Sequence, residues 1–191
     1  MHVNVRSLGK KLDLFEAESK HFDIITLSET WLSKRDNNNE LHLSQFHPPV
    51  RQDRADDPHD GVASYVRNNL YCKPRPDLHV NNLEAVWIET KLLVGSFYRP
   101  PNAKIDYWEL ICDFIQKANN TMNKYIILGD LNTDFLYNPS KHLLDILNMF
   151  QLHQLLNSPA RMIETTSSCL DLIIIQSLRT IKKHRYFAGI L

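Results

Sequence analysis

A layered α/β or α+β domain is what this 191-residue sequence predicts, and three observations carry that expectation. Six short runs rich in Ile, Val and Phe read as strands. Three stretches with apolar residues at helical spacing lie between them. The chain holds only 5 Gly and has no repeat, low-complexity block or evident linker, so one continuous domain is expected.

Taken in order, Leu8, Leu12 and Phe15 mark one face of a short helix, followed by a strand over Phe22–Leu27. The segment Asp53–Asp60 (DRADDPHD) carries four Asp and Pro58, and reads as a solvated loop; a metal-binding loop is the alternative, although its spacing matches none. Val62–Val66 is the next strand. Val86–Ile88 and Leu92–Tyr98 alternate throughout with no turn residue near Lys91, so they form one long strand or a hairpin with a shortened turn. Tyr107, Leu110, Ile111, Phe114, Ile115 and Ala118 follow i, i+3, i+4 spacing and give the clearest helix. Tyr125–Leu128 is a strand. Leu143, Leu144, Ile146, Leu147 and Phe150 mark a helix entered through Asn138-Pro139-Ser140, and Leu170–Ile175 is the last strand.

Composition excludes several classes. Lys+Arg 22 against Asp+Glu 22 gives zero formal charge, which no bulk-charge polybasic binder would have. Apolar runs such as Ile126–Leu128 and Leu172–Ile175 are far shorter than the roughly 20 residues of a membrane span. The start, MHVNVRSLGKKLDLF, lacks the apolar block of a signal peptide, so an intracellular protein is expected. Cys72, Cys112 and Cys169 are widely spaced and odd in number, which predicts reduced, buried thiols with no disulfide partner.

Polar residues gather at strand ends, where layered α/β folds commonly place their sites. Phe22–Leu27 runs into Ser28-Glu29-Thr30-Trp31, Tyr125–Leu128 into Gly129-Asp130-Leu131-Asn132-Thr133-Asp134, and Leu92–Phe97 into Tyr98-Arg99-Pro100-Pro101. Asp171 is embedded near the start of its strand. Glu29 is a hard oxygen ligand suited to Mg²⁺ or Mn²⁺. Asp130 and Asn132, two residues apart, would face the same side of an extended segment, the carboxylate positioning water and the amide holding it or a phosphate oxygen. Tyr98 and Arg99 offer a phenol and a guanidinium to a phosphoryl transition state. Such an inventory suits metal-assisted phosphate-ester hydrolysis. Each residue also has an ordinary structural explanation: Glu29 as a loop acid, Asp130 and Asn132 as turn formers after Gly129, Tyr98 as the last residue before a Pro-terminated strand.

Six motifs in one order bear on that choice: N-V-R-S-L at Asn4–Leu8, S-E-T-W-L at Ser28–Leu32, G-V-A-S-Y-V at Gly61–Val66, F-Y-R-P-P at Phe97–Pro101, G-D-L-N-T-D at Gly129–Asp134 and S-S-C-L-D-L-I at Ser167–Ile173. Together they resemble the endonuclease/exonuclease/phosphatase superfamily, and within it the apurinic/apyrimidinic-endonuclease-like domain of non-LTR retrotransposons. The resemblance implies a four-layer α/β-sandwich, with two mixed sheets face to face and helices outside. It implies Mg²⁺-dependent nicking of DNA that leaves a 3′-hydroxyl for a partner reverse transcriptase, with access to the nucleus through the parent element. By position, Glu29 matches the family's metal-binding glutamate and Asn4 the asparagine beside it. Asp130 matches the aspartate that activates water, Asn132 its phosphate-contacting companion, and Tyr98 the tyrosine on the scissile phosphate. Asp171 matches an aspartate that lies near the family's catalytic histidine. Arg99, with Arg179, Lys182, Lys183 and Arg185 of the basic run, is a candidate nucleic-acid contact; His184 in that run reads as a surface or phosphate contact.

The departures define further expectations. The family's final Ser-Asp-His motif would fall a few residues beyond Ala188–Leu191, and only three residues precede Asn4. The chain thus reads as one domain, 1–191, clipped at its start, truncated before that motif and lacking the last strand or strands. Asp60 stands where the family usually has a glycine. Loss of a general base or its partner costs about 10² to 10⁴ in rate, so very low turnover is expected. The alternatives are an inactive remnant that at most binds nucleic acid, and a phosphatase of the same superfamily.

Overall fold

The computed structural model of the chain describes residues 1–54, 59–122, 124–156, 161–163, 166–176 and 188–190. Two mixed sheets form its centre. The first orders its strands β13-β1-β2-β4-β3, from β1 (His2–Asn4), β2 (Ile24–Ser28), β3 (Val50–Gln52), β4 (Val62–Val66) and β13 (Ala188–Ile190). The second runs β5-β6-β7-β8-β12-β9, from β5 (Lys73–Pro74), β6 (Glu84–Glu89), β7 (Leu93–Tyr98), β8 (Tyr125–Asp130), β9 (His153–Gln154) and β12 (Asp171–Ile175). β10 (Arg161–Ile163) and β11 (Thr166–Ser168) pair antiparallel by themselves.

Three apolar clusters separate four layers. Phe15 of helix α1 (Leu12–Glu18) joins Val3, Ile25, Leu27 and Tyr65 outside the first sheet. Val66, Ile88, Val94, Leu128 and Ile173 fill the space between the sheets. Helices α2 (Tyr107–Thr121) and α3 (Lys141–Met149) cover the outer face of the second sheet through Trp108, Ile111, Phe114, Ile115, Leu143 and Ile146. The expected four-layer sandwich is therefore present. Alternation explains the sharing of residues between layers: Thr26 and Ser28 point inward where Ile25 and Leu27 point to α1. The inner face of the first sheet accordingly mixes apolar Val66 with buried polar residues, His2, Thr26, Ser28 and Ser64.

Some expectations need correction. Leu8 is buried but precedes α1 in a turn at Gly9, a residue that gains little from an extra helical turn. Leu144 lies off the buried face of α3 at 37% exposure. Val86–Tyr98 is a hairpin, not one strand. Its turn spans residues 90–92 without Gly or Pro because the Thr90 N–H and hydroxyl both donate to the Leu92 carbonyl, at 2.9 and 3.0 Å. Of the three cysteines only Cys169 is buried; Cys72 and Cys112 are partly exposed. The short strands β1, β3, β5, β9–β11 and β13 carry too few residues to show a periodicity. Among the described residues no helix is long and apolar enough to cross a membrane.

Candidate active site

Register across the second sheet builds half of the site. β8 runs through Gly129 to Asp130, so Asp130 belongs to the ladder and is not a turn former. Glu84 stands opposite Tyr98, Tyr98 opposite Asp130, and Asp130 opposite Asp171, which begins β12. Directly opposed residues share a face, so these four form one polar row across four strands, on the face that also presents Val94, Leu128 and Ile173 to the other sheet. Gly129 permits the close pairing that holds the row level. A Cβ at that position would collide with the backbone carbonyl oxygen of Phe97, its partner on β7.

The first sheet supplies the other half. Asn4 pairs with Ser28 at the ends of parallel strands, and Glu29 follows in a left-handed conformation, φ +51°. The Asn4 side-chain amide Nδ2 donates to Glu29 Oε1 at 2.7 Å and, across the sandwich, to Asp130 Oδ2 at 3.0 Å. The Tyr98 hydroxyl donates to the same Glu29 Oε1 at 3.2 Å. Asp130 Oδ1 accepts the Asn132 backbone N–H at 2.8 Å. Both Asp130 oxygens are thereby oriented by donors from opposite sheets. Burial holds the Tyr98 phenol well above its ordinary pKa, reinforced by the negative charges of Glu29, Asp60 and Asp130, so it remains a proton donor.

Asn132 departs from the expected geometry. It sits at φ +48° beyond the end of β8, so it does not share an extended segment with Asp130. Its side-chain amide donates to the Arg99 carbonyl at 2.9 Å and ties the two strand-end loops together. The Arg99 guanidinium is also turned to structure: it lies 4.8 Å from the Trp108 ring centre and donates to the carbonyls of Ala103, at 3.0 Å, and Leu131, at 3.4 Å. Arg179, Lys182, Lys183, His184 and Arg185 lie outside the described residues.

Two neighbours, His2 and Glu84, were not singled out from the sequence. His2, fully buried, places Nδ1 2.8 Å from Thr26 Oγ1 and Nε2 3.6 Å from Asp171 Oδ1. Burial lowers its pKa to about 3, so it faces Asp171 as a neutral ring. The available signal was alternation, since His2 shares a strand face with Asn4. Glu84 accepts the Gly61 N–H at 2.9 Å, and Asp60 pairs with Arg54, which also lies 3.5 Å from Glu84. Asp60 is therefore engaged with its neighbours and not simply a solvated loop acid. These acids border a cleft of about 750 Å³ shared with Lys34, Lys104 and Tyr107.

The donors fit a hard divalent cation. With Nδ2 committed to two carboxylates, Asn4 Oδ1 is a buried acceptor without a hydrogen-bond partner among the described residues, beside the Glu29 carboxylate. No three His, Cys, Asp or Glu side chains among the described residues are grouped to hold an ion by themselves.

Comparison with known proteins agrees with this architecture. The profile of the endonuclease/exonuclease/phosphatase family matches residues 1–184. No curated protein matches the sequence. Among solved structures, the endonuclease domain of TRAS1, a telomere-specific non-LTR retrotransposon, superposes with a TM-score of 0.65 at 20% identity, covering 91% of this chain and 81% of that one. The 3′-5′ exonuclease NExo from Neisseria meningitidis gives 0.70 at 15% identity, with 91% and 85% covered. A mannosyl-6-phosphatase from Bacteroides thetaiotaomicron gives 0.61 at 14% identity, with 91% and 83% covered. At these identities the likeness is one of fold. The chain belongs to the endonuclease/exonuclease/phosphatase family.

Proposed function

We propose that this chain is the endonuclease domain of a non-LTR retrotransposon-derived protein, hydrolysing a DNA phosphodiester with Mg²⁺ or Mn²⁺ and leaving a 3′-hydroxyl for a reverse transcriptase. The observation that carries the reading is the Asn4 amide, which joins Glu29 of one sheet to Asp130 of the other and sets them beside Tyr98. Glu29 and Asn4 Oδ1 would hold the metal, whose role is to neutralise charge on the phosphate oxygens. Asp130, oriented by two donors, takes the proton of the attacking water. The protonated Tyr98 phenol donates to a phosphate oxygen, and Asn132 steadies the loop beside it. Asp171, opposite Asp130 and next to neutral His2, adds negative potential on the buried side of the site. Arg179, Lys182, Lys183 and Arg185 supply phosphate contacts, so reversing two of these charges should flatten the salt dependence of DNA binding. Likeness to the TRAS1 domain supports the retrotransposon origin.

Supercoiled plasmid with Mg²⁺, assayed for nicking and for released inorganic phosphate, tests the reading. Nicking that EDTA and Asp130→Ala both abolish supports it. Phosphate release from small monoesters without nicking replaces it with a phosphatase. A folded chain that does neither is an inactive member of the family with at most nucleic-acid binding.

A further inference from the structure

Two residues beyond Glu29, the indole of Trp31 is 39% exposed while its neighbours Thr30 and Leu32 are buried, at 0% and 3%. The other two tryptophans, Trp87 and Trp108, are buried in the layer beneath α2. Trp31 is held outward at some expense. Its backbone is left-handed, φ +56°, a conformation costly for a bulky residue and one that collects at ligand sites. Its N–H donates to the Asp60 carbonyl at 3.0 Å, and the Thr30 N–H donates to the Gly61 carbonyl at 3.3 Å. The His59 ring meets the indole edge-on, 5.0 Å between centres and 80° between planes. The segment is thus pinned to residues 59–61. Two residues span at most about 7 Å, so Trp31 leaves the backbone close beside Glu29.

From this arrangement we infer that Trp31, buttressed by His59, is a stacking platform for a nucleobase flanking the phosphate held at Glu29 and Tyr98. The inference rests on the nuclease reading above and deepens it by naming what the site grips besides phosphate. An exposed indole face takes any base, because every base offers a π-face, so the contact adds affinity and positions the strand without reading sequence. Nothing in the core requires Trp31: the surrounding hydrophobic cluster is closed by Leu32, Leu41 and Leu43.

The test measures binding in EDTA, so that cleavage does not intervene. A fluorescein-labelled single-stranded oligodeoxynucleotide is titrated by anisotropy, and protein tryptophan emission is followed with the unlabelled strand. Expected are quenching in the wild type that disappears in Trp31→Phe, roughly tenfold weaker binding by Trp31→Ala, and near-normal binding by Trp31→Phe. Abasic residues placed along the strand should erase the difference between wild type and Trp31→Ala. Wild-type affinity in Trp31→Ala, or equal affinity for the abasic strand, overturns the platform while leaving the nuclease reading to the nicking assay. A folded chain that binds no DNA overturns both.

Discussion

The Asn4 amide is the best place to test how the two sheets share one site. Replacing it with alanine removes two hydrogen bonds to carboxylates, at 2.7 and 3.0 Å, and leaves Glu29 and Asp130 without their common donor. Hydrogen bonds to charged groups contribute about 1.5–3 kcal/mol each. Water can reach Glu29, which is partly exposed, but hardly reaches Asp130, which is 4% exposed, so recovery is one-sided. A net loss of about 2–4 kcal/mol follows, which lowers the melting temperature of a domain this size by roughly 5–15 °C. Asn4→Asp should cost more at pH 7, because a third carboxylate replaces the donor, and millimolar Mg²⁺ should recover part of that loss by binding the folded state. Thermal and urea melts of both variants, with and without Mg²⁺, measure all of this. If Asn4→Ala melts within about 2 °C of wild type, or if Mg²⁺ stabilises Asn4→Asp no more than wild type, the bridging role is refuted.

Three further expectations are open to direct measurement. Gly129→Ala should lose about 3 kcal/mol or express insolubly, because the Phe97 carbonyl it meets cannot yield without opening the β7–β8 ladder; a wild-type urea midpoint would contradict this. Arg99→Lys should lose about 1–2 kcal/mol, since lysine can neither fork between two carbonyls nor stack as well on Trp108, and an unchanged urea midpoint would contradict this. The Ser33 N–H and hydroxyl hold the Asp36 carboxyl below its usual range, so this group stabilises the fold above the ordinary carboxylate pKa and loses that effect as pH falls through its own. Asp36→Asn should therefore cost under about 1 kcal/mol at pH 7 and close to nothing near pH 2, as compared by urea melts at the two pH values.

Element type was largely legible because its signals are local. Short apolar runs rich in Ile, Val and Phe marked β2, β4, β6, β7, β8 and β12, and the i, i+3, i+4 spacing of Tyr107 to Ala118 marked α2. Errors came where a local feature competes with the pattern. Leu8 has helical spacing but follows a turn at Gly9, and the Thr90 hydroxyl closes a turn in the place where Gly or Pro was sought.

The site divides along the same line. Asn4, Glu29, Tyr98, Asp130, Asn132 and Asp171 could be picked out because their motifs keep a fixed order along the chain, and order is a property of sequence. What each side chain touches there is visible only in the tertiary structure. Asn4 meets Asp130 across 126 residues, and Asp171 faces Asp130 because one antiparallel register buries Ile173 and Leu128 together. Arg99 turns to Trp108 and two carbonyls, while Trp31 is turned out beside His59. Periodicity reports which face of an element is apolar. Register between strands, and the convergence of their ends, depends on how those faces close against each other over long sequence distances.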